Sequence, residues 1–411
     1  MKESKHAALE QPFPVVDDCL QVGGAPLTQI AEQAGGTPFY VYDRQRLDER
    51  VNQLRQALPD GISLHYAIKA NPMPAVVAHL AARVDGMDLA SEQEMRVALD
   101  AGVPAHQLSF AGPGKRDPEL RAATAAGVTI ILESPHELER LAVIADELGI
   151  RARVAVRVNP DFELKSSGMK MGGGPKVFGI DAEAVPDVFQ RIAELDLDFR
   201  GLHIYTGSQN LNPDAIVEAQ QRIVELALRL SDRAPARPAF LNIGGGFGIP
   251  YFPGEQPLPL APIGEALAQR LSEVRTHLGD TEVVVELGRY LVGEAGLYVA
   301  GVVDRKISRE HPFIVTDGGL HHHLAASGNF GQIIRRNYPV VVGNRVHGGE
   351  REVATVTGPL CTPLDLLADR MELARAEPGD LIAVYQSGAY GLTASPTGFL
   401  SHPLPGELLV G

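Results

Sequence analysis

One lysine lies where an apolar segment of the chain ends. The run LHYAIKANP at residues 64–72 places Lys69 just before Asn71 and Pro72, which close the segment. Short apolar runs closed by Asn and Pro are typical of buried strands, and ligands of parallel α/β proteins bind where such strands end. A lysine in a partly desolvated pocket loses its proton more readily and forms Schiff bases with carbonyls. The segment therefore predicts carbonyl chemistry at Lys69, with an ordinary surface lysine as the alternative.

Three further residues that could do chemistry lie at the ends of apolar runs. Asp88 occurs in GMDLASE, His203 in GLHIYTGSQ and Glu286 in ELGR. Taken singly, each has a structural explanation: Asp88 as a helix cap, His203 as a hydrogen-bonded core residue and Glu286 as half of a buried ion pair. Their common position at strand ends favours a shared site.

A glycine run completes the set of candidate residues. Gly244, Gly245 and Gly246 follow another apolar run, and successive unhindered backbone N–H groups at such a position can form a phosphate cradle. A lysine, a phosphate cradle, a carboxylate and the flat imidazole ring of His203 would then lie together at one end of the predicted strands. This combination indicates an aldehyde cofactor that bears a phosphate. The sequence therefore predicts pyridoxal 5'-phosphate.

Eight strand-helix cycles would position these residues. The predicted strands cover residues 64–69, 85–89, 108–111, 128–132, 152–158, 199–203, 239–243 and 282–287. Between them lie helical patterns, such as one that begins at Ser91 and stops at Gly102 and one that follows Ser134 and Pro135. Eight such cycles predict an α/β fold of the (β/α)8 TIM-barrel type, with a doubly wound sheet as the alternative.

The sequence changes character after Glu286. Strand-like segments separated by Gly, Pro and Asp cover residues 296–303, 313–316, 338–342, 352–356 and 380–385, and predict an antiparallel β domain. Residues 14–23 also look strand-like and could pair into that domain. We therefore expect an N-terminal segment at residues 1–36, a barrel at residues 37–285 and a C-terminal β domain at residues 286–411.

Composition excludes several classes of function. A chain of 411 residues with a formal charge of −14 lacks the basic surface that general nucleic-acid binding needs. No apolar run approaches the roughly 18 residues needed to cross a bilayer. Residues 1–14 carry no secretion signal, and the two cysteines, Cys19 and Cys361, indicate a reducing compartment. We expect a cytoplasmic protein that binds neither nucleic acid nor membrane.

From about residue 37 to residue 400 the chain resembles the fold-type III pyridoxal-phosphate decarboxylases, which include the diaminopimelate and ornithine decarboxylases. Six motifs carry the resemblance in order: YAIKAN at residues 66–71, the His203 segment ending in GSQ, the triple glycine, ELGR at residues 286–289, GPLC at residues 358–361 and SGAYG at residues 387–391. The resemblance implies a carboxy-lyase that releases CO2 from an amino acid.

The resemblance also implies roles for single residues. Lys69 would carry the Schiff base, His203 would stack on the pyridine ring and Glu286 would bond the ring nitrogen. The phosphate would be held by Ser208, Gly244, Gly245, Gly246 and Tyr390, and Gly288 and Arg289 would also be cofactor-binding residues. Racemases of this fold are understood to use arginine where this chain has Glu286, so Glu286 favours a decarboxylase.

An obligate head-to-tail homodimer is the assembly that the resemblance implies. Cys361 and Tyr390, both in the β domain, would enter the partner's barrel mouth. Cys361 is the candidate acid that returns a proton to Cα, and Asp88 is the candidate partner that orients Lys69. A pyridoxal-phosphate carrier without turnover is the alternative from another class, but single-domain carriers lack a β domain.

This chain differs from its better-known relatives at the residues that would face the distal end of the substrate. Diaminopimelate decarboxylases typically have Cys-Glu and ornithine decarboxylases Cys-Asp, whereas this chain has Cys361 followed by Thr362. DGGLHHH at residues 317–323 also replaces the usual pattern after the Asp-Gly-Gly turn. The chain looks closest to a branch that includes decarboxylases of glutamyl groups on acyl carrier proteins and decarboxylases of exosortase systems. Diaminopimelate remains the alternative substrate.

Further expectations concern a carrier, a metal and a loop. Arg335 and Arg336 could meet an acidic carrier protein. His321, His322 and His323 do not predict a metal site, because neighbouring residues on a strand face opposite ways. The glycine-rich loop at residues 166–174, flanked by Lys165 and Lys176 and containing Lys170, is interpreted as a mobile cover.

Overall fold

The computed structural model describes residues 13–163, 169–170, 172–332 and 335–411. It separates into two compact units. The first, here called the barrel unit, comprises Arg50–Ile249 and Pro257–Tyr290. The second, the sheet unit, comprises the chain up to Glu49, Pro250–Gln256 and Leu291–Gly411.

The secondary structure alternates strands and helices through the first two thirds of the chain. The strands are β1 (Val15–Val16), β2 (Cys19–Val22), β3 (Ala25–Pro26), β4 (Phe39–Asp43), β5 (Ile62–Ala67), β6 (Gly86–Leu89), β7 (Leu108–Phe110), β8 (Thr129–Leu132), β9 (Arg153–Asn159), β10 (Met169–Lys170), β11 (Ile180–Asp181), β12 (Asp198–His203), β13 (Gly207–Ser208), β14 (Phe240–Gly245), β15 (Glu282–Leu287), β16 (Gly296–Ser308), β17 (His311–Thr316), β18 (Val340–Val342), β19 (Arg351–Thr357), β20 (Leu366–Ala374), β21 (Leu381–Val384) and β22 (Gly406–Val410). The α-helices are α1 (Leu27–Gln33), α2 (Arg44–Ala57), α3 (Pro74–Ala81), α4 (Glu92–Asp100), α5 (Asp117–Ala126), α6 (Pro135–Leu148), α7 (Val185–Glu194), α8 (Pro213–Ser231), α9 (Ala261–Leu278) and α10 (Arg289–Val292).

Eight parallel strands close into a barrel in the barrel unit. The order around the barrel is β5, β6, β7, β8, β9, β12, β14 and β15, and β15 pairs with β5 to complete the circuit. The predicted (β/α)8 fold is therefore confirmed. A doubly wound sheet, which would leave two open edges, is excluded by the closure.

Local sequence explains how these elements begin and end. In α4 the Ser91 side chain accepts a hydrogen bond from the backbone N–H of Glu94, and Glu94 accepts one from Ala90 N–H. These two bonds satisfy one N–H group in the first turn of the helix and one on the residue before the N-cap, neither of which has a partner within the helix. In α6, Ser134 caps the helix in the same way and Pro135 occupies the first turn. Both helix starts agree with the prediction.

The sheet unit is built around the long strand β16. It pairs antiparallel with β4, β17 and β21, and β20 pairs antiparallel with β19. Two pairs are parallel: β17 with β19, and β22 with β4. The predicted antiparallel domain is thus confirmed as a mostly antiparallel one. The parallel pairs arise because long connections let the chain cross over before it pairs again.

Strand β4 lies in the sheet unit although the sequence analysis began the barrel at residue 37. All five residues of Phe39–Asp43 are buried, and they pair with β16 on one side and β22 on the other. A buried strand needs a partner along each edge for its backbone hydrogen bonds, and both partners of β4 come from residues 296 and beyond. The segment around Leu20 also packs here: Leu20 N–H donates to Gly343, and Phe13, Leu20 and Leu297 share one apolar core.

Among the residues that the structure describes, none of the helices is both long enough and apolar enough to cross a membrane.

Candidate active site

A cavity of about 210 Å³ opens at the carboxyl ends of the barrel strands. Four of the predicted site residues line it: Lys69, Asp88, His203 and Glu286. The rest of its lining is Leu89, Ala90, Ala111, Gly112, Pro113, Arg157, Phe178 and Tyr205. The structure therefore brings together a lysine amine, two carboxylates and an imidazole, each from a different strand or the turn that follows it.

Lys69 lies two residues beyond the end of β5, in a turn of 3-10 helix at Ile68–Ala70, and not on the strand itself as predicted. The strand ends early because Asn71 N–H bonds back to Ile68 and folds the chain into the turn. Tyr66 braces this turn by donating its hydroxyl to the carbonyl of Asn71 at 2.9 Å. The Lys69 side chain is exposed, and its Nζ lies 5.9 Å from the centre of the Tyr205 ring.

His203 and Glu286 form a buried ion pair on β12 and β15. The distance from His203 Nε2 to Glu286 Oε2 is 3.2 Å, and Asn242 Nδ2 lies 3.4 Å from the same oxygen. Burial raises the pKa of Glu286, but the hydrogen bond and charge of His203, together with Lys69 and Arg157, outweigh it and lower the pKa to about 2. Glu286 is therefore an ionised acceptor inside the cavity at neutral pH.

Asp88 lies within β6 and is held on two sides. Ser109 donates its hydroxyl to Asp88 Oδ1, and His65 Nδ1 lies 3.4 Å from Asp88 Oδ2. Two neighbouring strands, β7 and β5, supply these partners. The carboxylate is thereby fixed at the wall of the cavity that contains Lys69.

A buried charge network behind the cavity was not predicted from the sequence. Arg157 Nη1 contacts Glu133 Oε1 at 2.8 Å, and Lys115 Nζ contacts Glu137 Oε1 at 2.9 Å. Burial raises the pKa of Glu133, but the charge and hydrogen bond of Arg157, together with the charge of Lys115 and the N–H of Gly179, outweigh burial and the net shift is downward. Arg157 also lines the cavity, with its guanidinium 4.9 Å from the centre of the Phe178 ring. A charged residue between the valines of β9 was the signal that could have identified it.

The glycine run packs too tightly for any side chain. A Cβ on Gly245 would lie 2.4 Å from the carbonyl oxygen of Glu286, and one on Gly246 would lie 2.2 Å from that of Gly207. Gly244 N–H is already bonded to the Asn242 side chain at 2.8 Å. The close approach of Gly246 to Gly207 also places Gly246 beside Ser208 on β13. These residues are not among the described lining of the 210 Å³ cavity.

Gly288 and Arg289, the other two predicted cofactor-binding residues, directly follow β15. A Cβ on Gly288 would lie 3.0 Å from Ala70 Cβ and 3.2 Å from the carbonyl oxygen of Ala67. Gly288 therefore leaves room for the turn that carries Lys69. Arg289 begins the short helix α10, directly after the strand of Glu286. Neither residue is among the described lining of the cavity.

Cys361 and Tyr390 belong to the sheet unit. Cys361 is exposed, and Tyr390 is half-buried with a positive φ of 52°. The Cys361 loop is fixed by Asp365, a residue that sequence analysis missed. The buried carboxylate of Asp365 accepts backbone hydrogen bonds from Leu320 at 2.6 Å and Leu360 at 2.8 Å.

The three consecutive histidines lie in a turn of the sheet unit, where the sequence analysis had assumed a strand. The rings of His321 and His322 are 3.7 Å apart, centre to centre. Burial lowers the pKa of His323 to about 3, and burial with the neighbouring histidines lowers that of His321 to about 4. They are therefore neutral at pH 7, and His323 Nε2 lies 2.9 Å from the hydroxyl of Ser387. No cluster of metal-ligating side chains occurs in the described parts of the chain.

Part of the loop predicted as a mobile cover, including Lys165 and Ser166, lies outside the described residues. Within the described part, Asn159 donates to the carbonyl of Gly174 and accepts from Gly173 N–H.

Residues 44–293 match the family described as pyridoxal-dependent decarboxylase, pyridoxal binding domain. The chain belongs to this family, and it is a decarboxylase that depends on pyridoxal 5'-phosphate. Among its curated relatives is the L-glutamyl-[BtrI acyl-carrier protein] decarboxylase of Niallia circulans, which is 39% identical over 91% of this chain and 88% of its own length. The diaminopimelate decarboxylase of Aquifex aeolicus is 32% identical over 96% of this chain and 91% of its own.

Solved structures agree with this assignment. The crystal structure of diaminopimelate decarboxylase from Helicobacter pylori complexed with L-lysine superposes with a TM-score of 0.81 at 27% identity, covering 93% of this chain and 94% of that one. The family and its fold are therefore shared over almost the whole chain.

Proposed function

We propose that this enzyme decarboxylates a glutamyl or similar aminoacyl group carried as a thioester on an acyl carrier protein. The observation that carries the proposal is the lack of an available acid beside Cys361. Position 362 is threonine, whose hydroxyl accepts from Leu364 N–H, and the acid three residues further on, Asp365, is buried and bonded to two backbone N–H groups. A distal ammonium group would therefore find no carboxylate in this loop. A thioester has no such charge to pair.

The sequence relationship supports the same choice. The relative named as an acyl-carrier-protein decarboxylase shares 39% of aligned residues, against 32% for the diaminopimelate decarboxylase of A. aeolicus. This difference agrees with the change from an acidic residue to Thr362.

The cavity residues fit pyridoxal phosphate. Lys69 is exposed for Schiff-base formation, and His203 lines the same cavity, where its ring would stack on the pyridine ring. Glu286 is ionised and would accept a hydrogen bond from the ring nitrogen. Ser208 and the adjacent Gly246 would receive the phosphate, together with Gly245. We assign Gly244 a structural part in this cradle because its N–H is bonded to Asn242.

When bound, pyridoxal phosphate supplies the electron sink for the bond that breaks between Cα and the carboxylate. Glu286 holds a negative charge where positive charge on the ring nitrogen must be stabilised, and this stabilisation is greatest in the transition state. Asp88 orients the Lys69 amine. Cys361 donates the proton that replaces CO2 on Cα.

Cys361 and Tyr390 would act in a head-to-tail homodimer, in which each chain completes the partner's site. The surface around these residues supports an interface. Phe330 lies 6.4 Å from Tyr390, ring centre to ring centre, and Asn329 contacts the carbonyl of Leu364. Phe330 and Leu364 are both about half exposed, so an apolar surface adjoins the loops of both proposed site residues.

Of the two arginines, Arg336 is better placed than Arg335 to contact a carrier protein. Arg335 donates to the carbonyls of Ser327 and Leu366, and its guanidinium is therefore used within the sheet unit. Arg336 is 47% exposed and pairs with Glu255 at 3.0 Å. An acidic carrier helix could exchange with Glu255 at this exposed position.

The proposal is tested by CO2 release from four substrates: carrier-bound glutamate, meso-diaminopimelate, lysine and ornithine. We expect turnover of carrier-bound glutamate and little of the free diamino acids. Efficient turnover of free diaminopimelate with none of carrier-bound glutamate would contradict the proposal and favour lysine biosynthesis as the function. No CO2 from any substrate, with an unchanged cofactor spectrum, is the result expected of a cofactor carrier.

A substitution sharpens this test. Thr362→Glu restores an acid at the position and should raise activity on diaminopimelate by about tenfold, since one charge-assisted hydrogen bond contributes roughly 1.5 kcal/mol. The matched control is Thr397→Glu, at a threonine on another loop of the same unit that is half-buried, as Thr362 is. An equal gain in both variants would show that general charge, and not position 362, controls the substrate.

A further inference from the structure

A second and larger cavity, of about 550 Å³, lies at the amino-terminal ends of the barrel strands. Polar side chains dominate its lining, which includes Ser63, His65, Asp85, His106, Ser109, Thr129, Arg153, Arg200, Asn242 and Glu282. We call it the basal cavity. Asp88 is the one described residue that lines both the basal cavity and the 210 Å³ cavity of Lys69.

His65 connects Asp88 with the basal cavity. It lies on β5, and its Nδ1 is buried at 3.4 Å from Asp88 Oδ2. The side chain as a whole is 13% exposed, so the accessible part of the ring faces the basal cavity and not Asp88. Gly86 makes room for the ring, because a Cβ there would lie 2.5 Å from His65 Nε2.

The charged groups around His65 favour its protonated form. Asp88 faces it from β6, and Glu282 and Glu286 face it from β15, the other neighbouring strand. Burial lowers the pKa of His65, but these carboxylates outweigh it and the net shift is upward. The cationic Arg153 and Arg200 lie on β9 and β12, which do not neighbour β5.

Each decarboxylation consumes one proton. The bond between Cα and the carboxylate breaks, CO2 leaves, and the electron pair ends in a new C–H bond whose hydrogen comes from solvent. That proton must reach a cavity whose described walls are mostly apolar or already paired. A fixed series of titratable groups that opens to a polar cavity provides such a route.

We propose that His65 and Asp88 form a proton relay that supplies the Lys69 cavity from the basal cavity, through the interior of the barrel. His65 gives its Nδ1 proton to Asp88 Oδ2 and regains one from water in the basal cavity. Asp88 passes its proton into the cavity that holds Lys69, where it restores the thiol of Cys361 of the partner subunit after that thiol has given its proton to Cα. Ser109 keeps Asp88 in place by its hydrogen bond to the other carboxylate oxygen. His65 thus acts through Asp88 as a positioning residue, and the inference rests on the proposed site and not on the identity of the substrate.

The first test compares His65→Ala with His106→Ala in the loaded enzyme, on whichever substrate releases CO2. His106 is the matched control because it lines the same cavity and makes no contact with Asp88. We expect His65→Ala to lower kcat about 10²-fold with KM unchanged, and to raise the solvent isotope effect on kcat. Imidazole, which the basal cavity can admit, should restore part of the rate in His65→Ala and have no effect in His106→Ala.

The outcomes separate a relay from a packing role. A wild-type kcat in His65→Ala would overturn the proposal, and so would a loss of rate that neither imidazole nor pH alters, since that result indicates a structural effect. The Schiff-base absorbance should stay at the wild-type level in both variants, which distinguishes failure of the relay from failure of the Lys69 assignment.

A second measurement does not depend on activity. Nuclear magnetic resonance of labelled histidine follows the titration of His65 in the holoenzyme and in an Asp88→Asn variant. We expect the His65 pKa to fall in Asp88→Asn because a facing negative charge is removed. An unchanged titration would show that His65 and Asp88 are not coupled, and would overturn the relay.

Discussion

In the barrel unit, the charged residues of the cavity are paired with one another, whereas in the sheet unit Cys361 and Tyr390 lie on loops held by backbone hydrogen bonds. His203 on β12 contacts Glu286 on β15 across the intervening strand β14, and Asp88 on β6 bonds to Ser109 on the neighbouring strand β7. Cys361 depends instead on one buried carboxylate, that of Asp365.

This difference indicates that the two units have separate roles in the site. The barrel residues are rigid because each lies at a strand end, where parallel neighbours fix the backbone, and such rigidity suits cofactor electronics. The Cys361 loop can change sequence, as at Thr362, without disturbing any strand pairing. Loops on a fixed scaffold are where specificity usually varies. Substitutions in both units test how these residues are held in place.

Lys69→Ala should abolish both the Schiff-base absorbance and CO2 release, because no other lysine lines the described cavity. The absorbance spectrum of the purified protein with added cofactor measures the first effect. Lys176→Ala, at an exposed lysine of the same unit, is the control and should retain both properties. A Schiff-base band that persists in Lys69→Ala would refute the assignment.

Mixing Lys69→Ala chains with Cys361→Ala chains should restore part of the activity that each variant lacks alone. The reason is that a mixed head-to-tail dimer contains one site with both wild-type residues. Activity is measured on mixed dimers isolated with two different affinity tags. No recovery in those dimers would place Lys69 and Cys361 of one subunit in the same site.

Glu286→Gln should retain the cofactor and slow CO2 release by about 10²–10³-fold, as expected when one electrostatic partner of the transition state is removed. Glu265→Gln, at an exposed glutamate on α9, is the control. A normal rate in Glu286→Gln would remove the main reason for placing this carboxylate at the ring nitrogen.

The pKa of Glu286 adds a prediction on pH. Because its folded-state pKa of about 2 lies below the ordinary value of 4.5, ionised Glu286 stabilises the fold above pH 4.5 and loses this contribution as the pH falls toward 2. The activity profile of the wild type should therefore show no loss from Glu286 between about pH 7 and about pH 5. An acidic limb that disappears in Glu286→Gln would contradict this expectation.

Of these variants, Asp365→Ala should change the rate of CO2 release least, but it should clearly loosen the Cys361 loop. Two buried N–H groups lose their acceptor, which costs about 1–3 kcal/mol of stability if solvent does not replace it. The rate at which Cys361 reacts with a thiol reagent should rise as the loop loosens. Asp304→Ala, at an exposed aspartate of β16, is the control; equal reactivity in the two variants would show that Asp365 does not hold the loop.

The sequence was sufficient to predict that the four cavity residues of the barrel lie together, because the position of each follows from the apolar run beside it. Lys69, Asp88, His203 and Glu286 each come near the end of an apolar strand, and parallel strands that close into a barrel must bring those ends together. The two-residue error at Lys69 arose because a backbone bond from Asn71, which no propensity reveals, ends β5 early.

The features that were missed depend on contacts between distant parts of the sequence. Strand β22 and the sheet position of β4 could not be predicted, because their pairing joins residues near 40 with residues near 410. Arg157 was missed because its partner Glu133 lies 24 residues earlier in the sequence, on the other side of helix α6, although β8 and β9 are neighbouring strands. Asp365 was missed because its two bonds reach backbone groups only.

The pairing of β4 with β22 has a consequence for synthesis of the protein. Phe39–Asp43 is made before the barrel strands, but one of its two neighbouring strands, Gly406–Val410, is translated after all of them, and Arg44 donates to the carbonyl of Gly411. The barrel unit ends at Tyr290, so its strands have all emerged from the ribosome long before the sheet can close. A nascent chain can therefore form the cofactor pocket first, while the apolar strand β4 stays exposed to chaperones until β22 has been made.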